Sequence, residues 1–134
     1  MAETLLDTLK KAAKRAADKS RRYAAQADKK NRAEKERMER TARKKAGTDF
    51  KTHKTEAMKR ARNGEKSLYI DLASMISEIE LKGPVGIKQT AYGARLVELF
   101  KKNELKAKLD IQRCPPDDMI PFTNYSISVT VSWE

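Results

Sequence analysis

Apolar residues recur along this chain with two different periods, and the change of period divides it in two. From Glu3 to Ala46 there is neither Gly nor Pro, and Leu5, Leu9, Ala12, Ala16, Tyr23 and Ala27 return every three or four residues. That spacing makes one narrow stripe on a helix. The Ala, Lys, Arg and Glu around the stripe lose little side-chain entropy in a helix and so favour it. Thr4 is placed to cap its start, and Asp7, three residues on, suits the positive end of the helix dipole. Beyond Asp28 the stripe thins to Ala33, Met38 and Ala42, and Gly47 is expected to end the helix. Such a helix would be ~66 Å long at ~1.5 Å per residue, so it must break, project, or pack on another copy. Thr48 or Asp49 then caps a second, shorter helix bearing Phe50, Ala57, Met58 and Ala61, which Asn63-Gly64 closes with a left-handed C-terminal cap.

From Ser67 the pattern shortens. Leu68, Ile70 and Leu72 alternate with Ser67, Tyr69 and Asp71, which predicts a short strand. Leu72, Met75, Ile76 and Ile79 then fall at i, i+3, i+4 and i+7, a short amphipathic helix reaching about Leu81, which Gly83-Pro84 and Gly86 break. Another helix is predicted from about Lys88 to Lys102, with Tyr92, Leu96, Leu99 and Phe100 on one face and Asn103 at its C-cap. Gly93 inside it costs about 1 kcal/mol against Ala, which points to a close approach by a neighbour. Leu105, Ala107, Leu109 and Ile111 alternate with polar residues, as do Tyr125, Ile127, Val129, Val131 and Trp133. Both are strands with one buried and one wet face, joined by a long hairpin loop over residues 114–121, and Trp133 is expected among the most buried residues. The fold class is α+β: a basic helical arm over residues 1–47, then a compact domain over 48–134 whose three-stranded, mainly antiparallel sheet packs against helices.

Charge sharpens that division. The chain of 134 residues has a net charge of +11 and a pI of about 9.8. Residues 1–66 hold 22 Lys and Arg against 10 Asp and Glu, whereas residues 67–134 hold 8 against 9. The basic excess therefore lies wholly in the helical half, which favours an acidic partner. Arg15, Lys19, Arg21, Arg22, Lys29, Lys30, Arg32, Arg37, Arg40, Arg43, Lys44 and Lys45 are candidates to neutralise phosphates without reading sequence. The competing reading is a solvated helix laced with ion pairs such as Glu36–Arg40 and Glu39–Arg43; the excess of +12 in residues 1–66 is more than such pairing requires. An acidic protein surface would serve equally as partner, and the Ala-rich stripe with Tyr23 would allow the helix to form a homo-oligomer. Leu5, Leu6 and Leu9 beside a Lys-rich face also suggest a membrane surface, but the stripe turns to Ala and offers little insertion energy.

Little else carries chemistry. Cys114 is the only cysteine, so no intrachain disulfide can form and a reducing cytoplasm is the default. No apolar run approaches the ~18–20 residues of a membrane span, and the N-terminus lacks the apolar core of a secretory signal, so it reads as the mature start of an intracellular protein. His53 has no neighbouring nucleophile or ligand set in sequence. Cys114 lacks a base to activate it, and Asp117 and Asp118 suit a turn better than a cation. Gly83-Pro-Val-Gly86 is a turn and no phosphate cradle, and no nucleotide-loop or zinc spacing occurs. The expectation is a non-enzyme with no catalytic residue, no metal and no cofactor.

Two resemblances add to this reading. The order helix, strand, helix, helix, strand, loop, strand over residues 50–133 resembles winged-helix proteins. That resemblance implies Leu72–Leu81 and Lys88–Lys102 as the helix-turn-helix pair, with DNA contacts from Lys88, Gln89, Thr90 and Arg95. The segments Glu56-Ala-Met-Lys-Arg-Ala-Arg-Asn-Gly64, Ala94-Arg-Leu-Val-Glu-Leu-Phe100 and Tyr125-Ser-Ile-Ser-Val-Thr-Val-Ser-Trp133 resemble, in style, small accessory or virion proteins of bacteriophages. This implies host cytoplasm or virion as the location.

Overall fold

The structure, a computed structural model, describes residues 4–134. Its elements run α1 (Leu5–Arg62), β1 (Ser67–Ile76), α2 (Glu78–Lys82), α3 (Pro84–Lys102), β2 (Lys106–Cys114) and β3 (Asn124–Ser132). The chain divides into two compact units, residues up to Glu34 and residues Lys35–Glu134. Among the described residues no helix is long and apolar enough to cross a membrane.

Both ends of α1 are where local chemistry places them. The Asp7 N–H donates to Thr4 Oγ1 at 3.2 Å, the expected N-cap. At the far end Gly64 takes φ +85, and the N–H groups of Gly64 and Glu65 donate to the carbonyls of Ala61 and Arg60 at 3.1 and 3.0 Å.

Between those ends the helix does not stop at Gly47. Ala46 is fully buried, and the Phe50 ring meets Phe100 edge-on at 5.0 Å between centroids. Burial on both sides of Gly47 outweighs the ~1 kcal/mol it costs in a helix. Neither Thr48 nor Asp49 caps a new helix: Thr48 Oγ1 donates back to the Lys44 carbonyl at 3.2 Å, and Asp49 accepts from Tyr92. The expected boundary after residue 47 therefore lies inside α1, and Ala42 and Ala46 on the supposed arm belong to the core with Leu68, Ile70, Leu96, Phe100 and Val131.

The second departure is the helix predicted over Leu72–Leu81. Here β1 continues to Ile76, and only the five residues Glu78–Lys82 are helical. The register on β3 shifts between Asp71 and Ala73 and again between Ala73 and Ile76, and Met75 takes φ 56. Each bulge inserts a residue and resets which face the side chains take, so a bulged strand imitates helical spacing. Ile79, counted on the apolar face, is 85% exposed. The short α2 is held by a capping box, with Ser77 Oγ accepting from the Glu80 N–H and Glu80 Oε1 from the Ser77 N–H, a signature present in the sequence as Ser-x-x-Glu.

Helix α3 begins one turn earlier than predicted, because Pro84 at its first position is already fixed near helical φ. Gly83–Gly86 thus opens a helix instead of forming a free turn. A Cβ on Gly86 would lie 1.6 Å from the Leu81 carbonyl oxygen, so the α2–α3 junction admits only glycine there. Gly93 behaves as expected: a Cβ would come within 2.7 Å of Leu109 and 2.8 Å of Leu72, so this glycine lets α3 lie close on the sheet.

The sheet is antiparallel throughout in the order β1-β3-β2. Ile127, Val129 and Val131 on the central β3 have no exposed surface, which settles the strand register as predicted. Trp133 is only partly buried, a correction: it follows the last residue of β3, and its indole N–H donates to the Glu65 carbonyl at 3.0 Å, holding it at the sheet's margin. In the hairpin loop Asp117 Oδ1 accepts from the N–H groups of Met119 and Ile120 at 2.8 and 2.7 Å, the turn-capping role that its setting suggested.

Candidate nucleic-acid interface

In the unit Lys35–Glu134, α1 turns Ala42, Ala46 and Ala57 into the core. Helical periodicity then fixes the opposite side, which carries Arg37, Arg40, Lys44, Lys51, Lys59 and Arg62. All six are exposed. No Asp or Glu falls on that side; Glu36 and Glu56 flank it, and Glu39 and Asp49 lie toward the core. Among the described residues none of the six joins an ion pair. Between the cations sit Thr41, Thr48 and Thr55, whose hydroxyls donate to the carbonyls of Arg37, Lys44 and Lys51. The result is an acid-free basic face ~37 Å long at ~1.5 Å per residue.

Of the ion pairs expected to quench such a helix, neither Glu36–Arg40 nor Glu39–Arg43 forms among the described residues, although Glu56 pairs with Arg60 at 3.5 Å near the end of α1. Arg43 turns away from Glu39 and reaches Glu98 on α3 at 3.1 Å, where Arg95 also binds at 2.8 Å. Hydrogen bonds from Arg95 and then Arg43 hold the Glu98 carboxyl below the usual carboxylate range. Arg43 thereby leaves the set of free cations and becomes a tie between α1 and α3.

In the first unit Arg15, Lys19, Arg21, Arg22, Lys29, Lys30 and Arg32 are all exposed. Periodicity sets Arg15, Arg21, Arg22, Lys29 and Arg32 on the arc of the helix away from Leu9, Ala13, Ala16 and Ala27, with Lys19 and Lys30 at its border beside Tyr23. None of the seven is in an ion pair among the described residues, and the Lys19 ammonium sits 5.8 Å from the Tyr23 ring centre. Leu5, Leu6, Leu9 and Tyr23 on the other arc are 58–75% exposed.

Of the twelve predicted cations, Arg37, Arg40 and Lys44 fall on the acid-free face, Arg43 is paired, and Lys45 lines a cleft beside α3. Lys51, Lys59 and Arg62 were missed because the arm was ended at Gly47; the same spacing of cations continues past it. The four residues of the winged-helix expectation do not gather on one open helix face. Lys88 and Gln89 line the cleft with Lys45, Thr90 lies in a second groove with Lys35, Glu39 and Arg43, and Arg95 is bound to Glu98.

Sequence reasoning also left His53 without partners, and the fold supplies them. Tyr92 on α3 donates its hydroxyl proton to Asp49 Oδ2 at 2.9 Å, and His53 Nε2 lies 2.7 Å from the Tyr92 hydroxyl oxygen. With the tyrosine O–H directed at Asp49, the imidazole nitrogen is the donor to the hydroxyl oxygen. Burial lowers the His53 pKa against the opposing pull of Asp49, and burial with the Asp49 bond raises that of Tyr92. The chain of three groups fastens α1 to α3. Among the described residues no group of three or more His, Cys, Asp or Glu is placed to hold a metal. No family model, curated protein or solved structure matches this chain.

Proposed function

We propose that this chain is a non-enzymatic nucleic-acid-binding protein that takes up phosphates along α1 with little dependence on base sequence. The observation that carries the reading is the acid-free face of Arg37, Arg40, Lys44, Lys51, Lys59 and Arg62, none of which joins an ion pair among the described residues. Its ~37 Å length is close to one turn of duplex, ~34–36 Å. Unpaired cations on a rigid helix contact phosphates by releasing counterions. A role in a bacteriophage particle or its accessory machinery would accommodate such an activity.

The test is a salt series of binding to duplex DNA, single strands and RNA. Replacing Arg37, Lys44 and Lys51 together by Gln should flatten the slope of log affinity against log salt by about 2.7 on duplex, ~0.9 per lost phosphate contact. An unchanged slope removes this face from the interface, and an absence of salt-dependent binding sinks the nucleic-acid reading. A second reading, an assembly protein packing its helix on an acidic protein or on another copy, is favoured by the exposed Leu5, Leu6, Leu9 and Tyr23. Sedimentation of the full chain and of a chain beginning at Lys35 separates the two.

A further inference from the structure

The two edges of the sheet differ in kind. β1 forms one edge; its register on β3 shifts twice, and Met75 takes φ 56. Bulges of this sort twist an edge away from any flat partner. β2 forms the other edge and matches β3 residue for residue from Lys106 to Cys114 without a shift. Its nine residues include neither Pro nor Gly. In an antiparallel strand every second residue turns its N–H and C=O away from the neighbour already paired. Among the described residues no backbone hydrogen bond joins 106–114 to any segment but β3. A straight, unbroken edge of this length is a template for a further strand.

The side chains of β2 narrow what that strand can be. Ala107 and Leu109 pack against the core, and Ile111, in the same row and opposite the buried Ile127, is 46% exposed. Lys106, Lys108, Asp110 and Gln112 stand on the opposite face, across from Ser132, Thr130, Ser128 and Ser126 of β3. No charge on β3 answers theirs, and among the described residues Lys106, Lys108 and Asp110 join no ion pair. An incoming strand must match parity, because a slip of one residue turns its apolar row to the wrong face. For β2 laid antiparallel on itself, an axis through Lys108 or Asp110 sets like charges directly opposite, and one through Ala107 sets Lys106 against Lys108 twice. An axis through Ile111 leaves Lys108 and Asp110 facing uncharged residues. An axis through Leu109 sets Lys108 against Asp110 on both sides, covers Ile111 with Ala107, and opposes Leu109 to itself. We infer that β2 pairs with β2 of a second copy about Leu109, joining two sheets into one of six strands with two Lys108–Asp110 pairs across the seam. Lysines on an edge ordinarily discourage pairing; alternating with Asp110, they admit one register. Parity also puts the helices of both copies on one side of the joined sheet. Under the nucleic-acid reading of α1 the dimer would offer two basic faces to one polyanion, but the pairing does not rest on that reading.

The experiment sediments the full-length protein over a range of concentrations at physiological salt. The parent should show a monomer–dimer equilibrium. Lys108→Glu alone, or Asp110→Lys alone, puts two like-charge pairs on the seam and should weaken dimerisation at least about tenfold. An equimolar mixture of the two variants should recover it, since every acid on the seam then faces a lysine. The double variant Lys108→Glu with Asp110→Lys should recover it for the same reason. Recovery on mixing also shows that each single variant is folded. A parent that stays monomeric at every concentration overturns the inference. So does a dimer indifferent to both reversals, which would place self-association elsewhere, as on Leu5, Leu6 and Leu9. Reversals that weaken the dimer without recovery on mixing overturn it as well. A dimer that responds as expected while binding neither DNA nor RNA upholds the pairing and removes only the α1 reading.

Discussion

Helix α1 passes through two units that share a composition but not a fate. Residues 5–34 and residues 35–62 are both rich in Ala, Lys and Arg. In the first stretch no residue is buried, whereas in the second Ala42, Ala46 and Ala57 join the core and Arg43, Asp49, Phe50 and His53 each contact α3. The difference lies in what stands opposite the apolar stripe. An Ala stripe buries little area by itself, and most helix stability in proteins comes from packing a face on something else. The same contrast divides the charges: where one side is committed to a core, the opposite side is defined, and its cations form an ordered face.

The most severe test of how firmly the second stretch is seated is Gly86→Ala. Its Cβ would overlap the Leu81 backbone, forcing α2 away from α3. A loss of about 3 kcal/mol or more is expected, read as a collapse of the thermal transition. A transition within 2 °C of the parent would mean that the junction is looser than described.

Truncation comes next and probes the comparison directly. A chain beginning at Lys35 should keep its stability to within ~0.5 kcal/mol, since residues 5–34 bury nothing in the core. A chain beginning at Thr48 should lose about 2–4 kcal/mol, because it drops Ala42 and Ala46 from the core and the Arg43–Glu98 tie. Equal denaturation midpoints for the two would place the boundary back at residue 47.

Gly47→Ala should work in the opposite direction. A Cβ there meets nothing within 4 Å, and the position is helical, so stabilisation of about 0.5–1 kcal/mol is expected. A destabilised variant would indicate a break at Gly47 after all.

The smallest effect is linked to pH. Burial lowers the folded pKa of His53 below its ordinary 6.5, so between those two values the unfolded chain binds more protons. The contribution of His53 is full above about pH 6.5 and is lost as pH falls toward the folded value. Melting temperature should therefore drop between pH 7.5 and 5 by more in the parent than in His53→Gln. Parallel pH profiles would show that the imidazole does not titrate differently on folding.

Much of this architecture was legible one element at a time. The alternation of Tyr125–Trp133 predicted the central strand and its register, Asn63-Gly64 predicted the end of α1, and Gly93 announced a close approach. Each signal is local, because side-chain parity and left-handed caps depend on a few neighbours. The misread elements share the opposite property. Gly47 and Leu72–Leu81 looked like a helix end and a helix because the partners that overrule them, Phe100 on α3 and the register of β3, lie far along the chain. The acid-free face was half visible for the same reason: its cations were in plain sight, but its extent depended on Gly47.

The sequence by itself determined that a basic helical half precedes an α+β half, since charge and apolar period are properties of the chain read in order. Only the tertiary structure decided which side of α1 is free, and that His53, Tyr92 and Asp49 meet. Those outcomes require side chains tens of residues apart to be brought together, and that juxtaposition comes from burying α1 and the sheet against α3, which no local pattern encodes.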